Sequence, residues 1–170
     1  MSSKIKVLQV IPKLSYGGAE IGCYDLAHYL YENNCSSYIV TSGGALLKYI
    51  NRNKVRLIRL PVQSKNPILM LINSIIITFI ILICNINIVH ARSRAPAWSC
   101  LIATKITLRK FVTTFHGTYN FNNRFKKYYN SGFKYKYSSR KKSCPSVVML
   151  NYYKNYEKKV RYYFSWDLQF

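Results

Sequence analysis

The sequence predicts an α/β fold: a Rossmann-like parallel sheet with helices on both faces, followed by a poorly structured basic C-terminal tail. Two observations predict this fold. Over the first 120 residues, short β-branched runs alternate with helical patterns, and the connections between them are short. Beyond Asn120 the composition changes abruptly, and neither a helical nor an alternating period continues.

Five runs have the length and composition of strands buried in a sheet. They are Lys4–Ile11, Ser37–Thr41, Val55–Leu60, Ile86–Ala91 and Phe111–Phe115. Pro12 and the pair Gly17-Gly18 break the chain after the first run. Because strands and helices alternate with short connections, we expect the strands to be parallel and covered by helices.

The segments between the strands favour helices. The predicted helices are Ala19–Asn33, a short Leu46–Asn51, Asn66–Asn85 and Arg94–Ile106. In the first helix, Cys23, Leu26, Ala27 and Leu30 recur at the spacing of one helical face. In the last helix, Pro96 lies in the first turn, where its missing N–H costs nothing.

The segment Ile68–Ile83 is apolar and carries no charge. A membrane span needs about 20 mostly apolar residues, whereas this run is shorter and contains Asn73, Ser74 and Thr78. A span would also place the strands before and after it on opposite sides of a bilayer, where they could not share a sheet. We therefore favour a buried or membrane-facing helix over a true span.

The chain is strongly basic, with 26 Lys and Arg against 5 Asp and Glu and a formal charge of +21. Such a surface favours anionic partners, which include nucleic acid, phosphorylated substrates and an anionic membrane face. The five cysteines are widely spaced and form no CxxC pair, so no metal site is predicted. Their odd number and the lack of a signal-peptide pattern suit a reducing cytoplasm, so we expect a cytoplasmic location.

We divide the chain into a domain over residues 1–130 and a basic, Tyr/Lys-rich tail over residues 131–170. Residues 121–170 contain no Ile and no Ala, and they hold 9 of the 16 Tyr. A different domain would also fit this break, but we favour a disordered or out-of-frame tail, because AT-rich codons yield Lys, Tyr, Asn and Phe. The basic and aromatic stretch Lys134–Lys142 has the composition of a single-strand nucleic-acid binder. Since no predicted fold supports it, nucleic acid is not an expected partner.

Three polar segments follow the ends of predicted strands. Residues 15–20 follow the first strand, residues 92–94 the fourth and residues 116–118 the fifth. In an open parallel sheet, ligands bind beyond the carboxyl ends of the strands. The sequence therefore predicts a ligand site at the edge that these segments share.

The first polar segment contains Gly17, Gly18 and Glu20. The glycines permit a positive φ and close backbone approach, and the helix after them offers free N–H groups to an anion. The alternative is a plain tight turn. The order is not GxGxxG, so no dinucleotide site is predicted. Glu20 either contacts a ligand or favours the helix dipole.

The other two segments contribute basic side chains. Arg92 and Arg94 are candidates to hold a phosphate or carboxylate, and the alternative is a solvated loop. His116 is a candidate to hydrogen-bond a substrate hydroxyl or take its proton, and the alternative is a structural role. We expect His90 to pack inside its strand and His28 to lie on a helix surface.

Three ordered motifs carry a resemblance to a known family. They are KVLQVIPKLSYGGAE, VHARSRAPAWSCLIA and FVTTFHGTYN. The chain resembles the N-terminal, acceptor-side half of the family 4 glycosyltransferases, which have two facing Rossmann-like domains in the GT-B arrangement. The resemblance covers roughly residues 4–130 and implies retaining transfer of a sugar from a nucleotide-sugar donor, with no metal or other cofactor. It implies a glycan or lipid-linked acceptor in cell-envelope polysaccharide or lipopolysaccharide synthesis.

The resemblance also implies roles for single residues. Gly17 and Gly18 would approach the donor phosphates, and His116 would match the catalytic histidine near the reacting sugar. The remaining candidates for substrate contact are Glu20, Arg92, Arg94, Gly117 and Thr118.

The second domain of the family has no counterpart in this sequence. We therefore expect a truncated fragment that transfers little or no sugar by itself. Because such enzymes often act at the cytoplasmic face of the membrane, peripheral contact with anionic lipid on that inner face is a further expectation. The alternative function is a non-catalytic basic module bound to an anionic membrane surface.

Overall fold

The computed structural model describes residues 5–114, and the predicted α/β fold is confirmed there. Strands and helices alternate, with boundaries within two residues of those expected. The elements are β1 Lys6–Ile11, α1 Gly18–Glu32, β2 Ser36–Thr41, a short 3₁₀ helix Ala45–Tyr49, β3 Val55–Arg59, α2 Pro67–Cys84, β4 Ile88–Arg92, α3 Arg94–Thr107 and β5 Lys110–Thr114. The predicted tail and Phe115 lie outside the described residues.

All five strands are parallel and lie in one sheet with the order β3-β2-β1-β4-β5. The chain moves outward from β1 to β3, then crosses to β4 on the other side of β1 and continues to β5. Right-handed connections in these two directions place α1 and the 3₁₀ helix on one face and α2 and α3 on the other. Helices therefore cover both faces, as expected for a doubly wound sheet.

The core on the α1 face joins strands, helix and loop. Residues from β1, β2, β3, α1 and the 3₁₀ segment pack together there, and the main members are Ile11, Cys23, Ala27, Ile39, Leu46 and Val55. Consecutive residues of β1 and β2 are buried whichever face they point to. Burial on both faces explains why apolar residues follow one another in these strands and do not alternate regularly with polar ones.

Helix α2 begins and ends with clear signals. The Asn66 side chain accepts a hydrogen bond from the Ile68 N–H at 2.9 Å, Pro67 takes the first turn, and Asn85 ends the helix in the left-handed conformation. By length and composition alone α2 could cross a membrane. However, β3 before it and β4 after it lie in the same sheet, which argues against a span. Contact of α2 with a membrane surface stays a prediction.

Candidate functional site

The site lies at the carboxyl ends of β1 and β4. These strands are neighbours, with Val7 to Val10 of β1 paired to Ile88 to Ala91 of β4. The chain leaves β1 towards one face and β4 towards the other, so a crevice opens between the two connections, as at the switch point of other doubly wound sheets. The predicted polar segments after the first and fourth strands meet here.

Helix α1 begins at this crevice. Gly17 is its N-cap residue, with φ −80° and ψ 161°, and the N–H groups of Glu20 and Ile21 donate to the Gly17 carbonyl. The backbone of Gly17 is therefore extended, so this glycine does not use the positive φ that it permits. A Cβ added at Gly18 would meet none of the described atoms within 4 Å, which leaves room for a ligand to approach the helix terminus closely.

The Glu20 carboxyl group lies beside Gly17. A Cβ at Gly17 would lie only 3.1 Å from Glu20 Cδ, and it would collide with Oε2. The carboxylate thus lies against the N-terminus of α1, where the helix dipole stabilises negative charge. This position supports the dipole alternative for Glu20, and ligand contact by Glu20 stays a prediction.

Arg92 does not lie in a solvated loop, and its contact with a phosphate or carboxylate stays a prediction. It is the last residue of β4 and only 4% exposed, so it is not part of a solvated loop. Its guanidinium donates from Nε to Gln9 Oε1, from Nη1 to the Ala19 carbonyl and from Nη2 to the Gly22 carbonyl, each at 3.1 Å. The side chain therefore ties β4 to β1 and to the first turns of α1.

Gln9 completes this buried network, and the sequence analysis missed it. It is fully buried in β1, and its Nε2 donates to the Cys23 carbonyl at 3.2 Å. The signal in the sequence was a single amide within a β-branched strand. Gln9 and Arg92 together fix the start of α1 relative to the crevice.

The start of α1 combines charges of both signs. The Glu20 carboxylate lies against the helix N-terminus. The buried Arg92 guanidinium lies behind it, where its charge opposes the rise that burial causes in the pKa of Asp25. Cys23 lies beside this charge, but burial raises the pKa of its thiol to about 11, an effect that Arg92 opposes and Glu20 reinforces. Cys23 is consequently a protonated core residue and not a nucleophile.

The β4–α3 connection carries a strained residue at the same edge. Ser93, which caps α3, has a φ of 121°, a value that side-chain-bearing residues rarely adopt. Its N–H donates to the Thr114 carbonyl at the end of β5, at 3.3 Å. Such strain concentrates at functional sites. Arg94 follows as the first residue of α3 and is partly exposed at this edge.

The third predicted segment, with His116, Gly117 and Thr118, lies outside the described residues, so these roles stay predictions. The other two histidines are structural. His90 is fully buried, with Nε2 3.3 Å from Thr114 Oγ1. His28 is half-buried on α1, where its ring bonds the Tyr24 carbonyl and the Asn51 N–H. Within residues 5–114, no cluster of three or more His, Cys, Asp or Glu could hold a metal ion.

The comparisons with known proteins agree with this geometry. The family model described as Glycosyltransferase Family 4 matches residues 16–161. The crystal structure of a glycosyltransferase from Rickettsia africae ESF-5 is 47% identical, with a TM-score of 0.66, and the match covers 76% of this chain and 34% of that one. The chain thus spans about a third of the length of this solved relative.

A second solved structure, CalG4, the calicheamicin glycosyltransferase, matches with 10% identity and a TM-score of 0.47. That match covers 94% of this chain and 44% of that one. At this level of similarity it adds no argument. Among curated proteins, none matches the chain.

Proposed function

Because the chain belongs to glycosyltransferase family 4, we propose that it takes part in transferring a sugar from a nucleotide-sugar donor to a glycan or lipid-linked acceptor. The observation that carries this proposal is the start of α1, with Gly17 and Gly18, at the crevice between β1 and β4. A nucleotide-sugar presents a diphosphate, and a helix N-terminus beside open space binds such an anion. Arg92 adds a fixed positive charge behind that terminus.

The chemistry of the reaction suits this arrangement. When the bond from the sugar to the diphosphate breaks, negative charge grows on the leaving phosphate. The N–H groups at the start of α1 and the buried Arg92 charge are already in place to stabilise it, without reorganisation during the reaction. We assign the contact with the reacting sugar to His116, and we propose that transfer proceeds with retention and without a metal cofactor.

The site needs a partner half. The chain spans about a third of the solved relative's length, so we propose that a donor-binding half faces the crevice, whether joined to this chain or supplied separately. Residues 1–130 would form the acceptor-side domain. On this account the chain by itself transfers little or no sugar.

The setting of the reaction is also a proposal. A lipid-linked acceptor places the enzyme at the inner face of the cytoplasmic membrane, in cell-envelope polysaccharide or lipopolysaccharide synthesis. The net charge of +21 supports contact with anionic lipid there. The alternative, a non-catalytic membrane-bound module, would bind lipid but support no transfer.

The test combines this chain with a separately produced donor half of the Rickettsia africae glycosyltransferase. Radiolabelled nucleotide-sugars are added with membrane-extracted acceptors, and incorporation of label is measured. We expect transfer with the wild-type chain and a loss of about 100-fold or more with His116→Ala, because a positioned acid or base contributes at least that factor.

The matched control is His28→Ala, since His28 lies on α1 and its ring bonds the Tyr24 carbonyl and the Asn51 N–H. This variant should keep transfer near the wild-type rate. Robust transfer by the chain without any donor half would contradict the need for a partner. Equal transfer by the His116→Ala and wild-type chains would remove His116 from the mechanism.

A further inference from the structure

Helix α2 exposes an unusually apolar face. Its exposed side chains form an apolar stripe, which consists of Ile68, Leu71, Ile72, Ile75, Phe79, Leu82 and Ile83. The spacing of these positions keeps them on one face along the whole helix. A helix of 18 residues is about 27 Å long, so the stripe is far larger than the scattered apolar side chains of an ordinary surface.

The buried side of the same helix carries polar groups. Asn73 and Ser74 are each 1% exposed. Asn73 Nδ2 donates to the Pro61 carbonyl at 3.1 Å, and Ser74 Oγ donates to the Met70 carbonyl at 2.8 Å. Ser99 of α3 donates to the same Met70 carbonyl at 2.9 Å. Ile77 and Ile81 are fully buried on the same side. What sets α2 apart is therefore its outward face, where a continuous row of Ile, Leu and Phe matches an apolar environment outside the protein.

Cations surround the C-terminal end of α2. Lys6 Nζ donates to the Cys84 carbonyl, and Arg109 Nη2 donates to Asn85 Oδ1, both at 2.9 Å. Cys84 also lines an open cavity of about 690 Å³ next to the edge strand β3. Three arginines line this cavity: Arg52, Arg56 and Arg59.

The geometry of this cavity suits a phosphate group. Arg52, Arg56 and Arg59 are all exposed, and the Arg56 guanidinium lies 5.6 Å from the centre of the Tyr38 ring. A guanidinium forms paired hydrogen bonds to phosphate oxygens. Headgroup phosphates could therefore reach these arginines while the stripe of α2 lies deeper.

The negative charges lie elsewhere. Within residues 5–114, the acidic side chains are Glu20, Asp25 and Glu32, and all three belong to α1. Helix α1 covers the opposite face of the sheet from α2, so no described carboxylate opposes an anionic surface on the α2 side.

We propose that the apolar stripe of α2 docks the chain on the surface of an anionic bilayer. The helix lies in the plane of the interface, with the stripe in the boundary between headgroups and acyl chains, as amphipathic surface helices do. The arginines of the β3 cavity contact lipid phosphates. The stripe leaves the crevice between β1 and β4 open, because it lies on a face of the sheet and not at its carboxyl edge.

The positive charge of the chain favours an anionic bilayer, and not a second copy of the chain, as the partner of the α2 stripe. Each copy carries a formal charge of +21, so pairing two copies brings like charges together, whereas an anionic bilayer attracts them. Docking would give the enzyme access to a lipid-linked acceptor, and this part of the inference rests on the proposed function. Lipid binding itself can be measured without transfer.

The experiment is vesicle co-sedimentation of the full chain. One set of vesicles contains phosphatidylcholine alone, and the other contains phosphatidylcholine with phosphatidylglycerol. We expect binding to the anionic vesicles that weakens as salt screens the charges. Phe79→Glu should lower this binding by about tenfold or more, since it removes an exposed aromatic side chain that the bilayer would bury and adds a charge.

The matched control is Tyr49→Glu, because Tyr49 is 54% exposed, close to the 58% of Phe79, but lies on the other face of the sheet. It should bind as the wild type does. A second pair tests the cavity: Arg56→Gln should weaken binding to anionic vesicles more than Lys48→Gln, which removes the same charge from the 3₁₀ helix. Circular dichroism verifies that every variant is folded, and Ile75→Glu repeats the stripe test at a second position.

Equal losses in Phe79→Glu and Tyr49→Glu would overturn the proposal. So would a wild-type chain that forms dimers, ignores vesicles and becomes monomeric in Phe79→Glu, since the stripe would then be an interface between copies. Transfer with a detergent-solubilised acceptor separates the two proposals. Transfer without lipid binding would refute docking alone, and lipid binding without transfer would refute the proposed enzyme alone.

Discussion

At the scale of single residues, the crevice depends on a buried arginine. Arg92 uses three guanidinium nitrogens for three acceptors on two elements, β1 and α1. Its neighbour in the chain, Ser93, holds the backbone in a conformation that costs energy. Buried polar contacts thus build the site. They also hold the Arg92 charge near the start of α1, where it contributes to the electrostatic potential.

We expect Arg92→Lys to destabilise the domain by about 2–4 kcal/mol, because one ammonium cannot reach the three acceptors that the planar guanidinium reaches, and buried acceptors are left unsatisfied. The measurement is urea unfolding followed by circular dichroism. Arg59→Lys, at an exposed position of β3, is the control and should change stability by less than about 0.5 kcal/mol. Similar unfolding midpoints for the two variants would contradict the structural role of Arg92.

At the scale of elements, the turn after β2 supports the turn after β1. Leu14 N–H donates to the Gly43 carbonyl at 2.7 Å, and the Leu14 carbonyl accepts from Leu46 N–H at 2.9 Å. Gly44 has a φ of 140°, and a Cβ there would collide with the Leu14 backbone. The loops after β1 and β2 are therefore joined by hydrogen bonds, and these bonds fix the position of the segment that leads into α1.

We expect Gly44→Ala to cost about 2–3 kcal/mol, since it adds a clash and an unfavourable backbone conformation. Gly18→Ala is the matched control, because Gly18 lies in the first turn of α1 and a Cβ there meets no described atom within 4 Å. That change should leave stability the same or raise it by up to about 1 kcal/mol. Thermal unfolding of both variants measures the difference, and an unchanged melting temperature for Gly44→Ala would show that the loop adapts.

At the scale of the whole molecule, strand–helix alternation sufficed to predict the fold. The β-branched runs and the Gly and Pro breaks located every described element, and the carboxyl-edge rule located the crevice. The burial of Arg92 could not be predicted, because it depends on where the Ala19 and Gly22 carbonyls point after folding. The role of Gly44 depends on Leu14, a contact between separate loops.

The sequence also could not predict which face of α2 is exposed. An uncharged apolar run fits a core helix, a surface helix and a span, and only the packing against α3 shows which side is exposed. The exposed apolar stripe then distinguishes α2 from a core helix. Asn73 and Ser74 share the buried side with Ile77 and Ile81, so neither polarity nor hydrophobicity of single residues could have identified that side in the sequence.

In the proposed function, the start of α1 binds the diphosphate of a nucleotide-sugar. Amide NMR of the ¹⁵N-labelled full chain, titrated with uridine diphosphate, tests it most directly. We predict that the largest shift changes fall on the amides of Gly17, Gly18 and Ala19, and that Gly18→Ala reduces them while the fold persists. Shift changes confined to the cavity of Arg52, Arg56 and Arg59, or unchanged binding by Gly18→Ala, would contradict the claim.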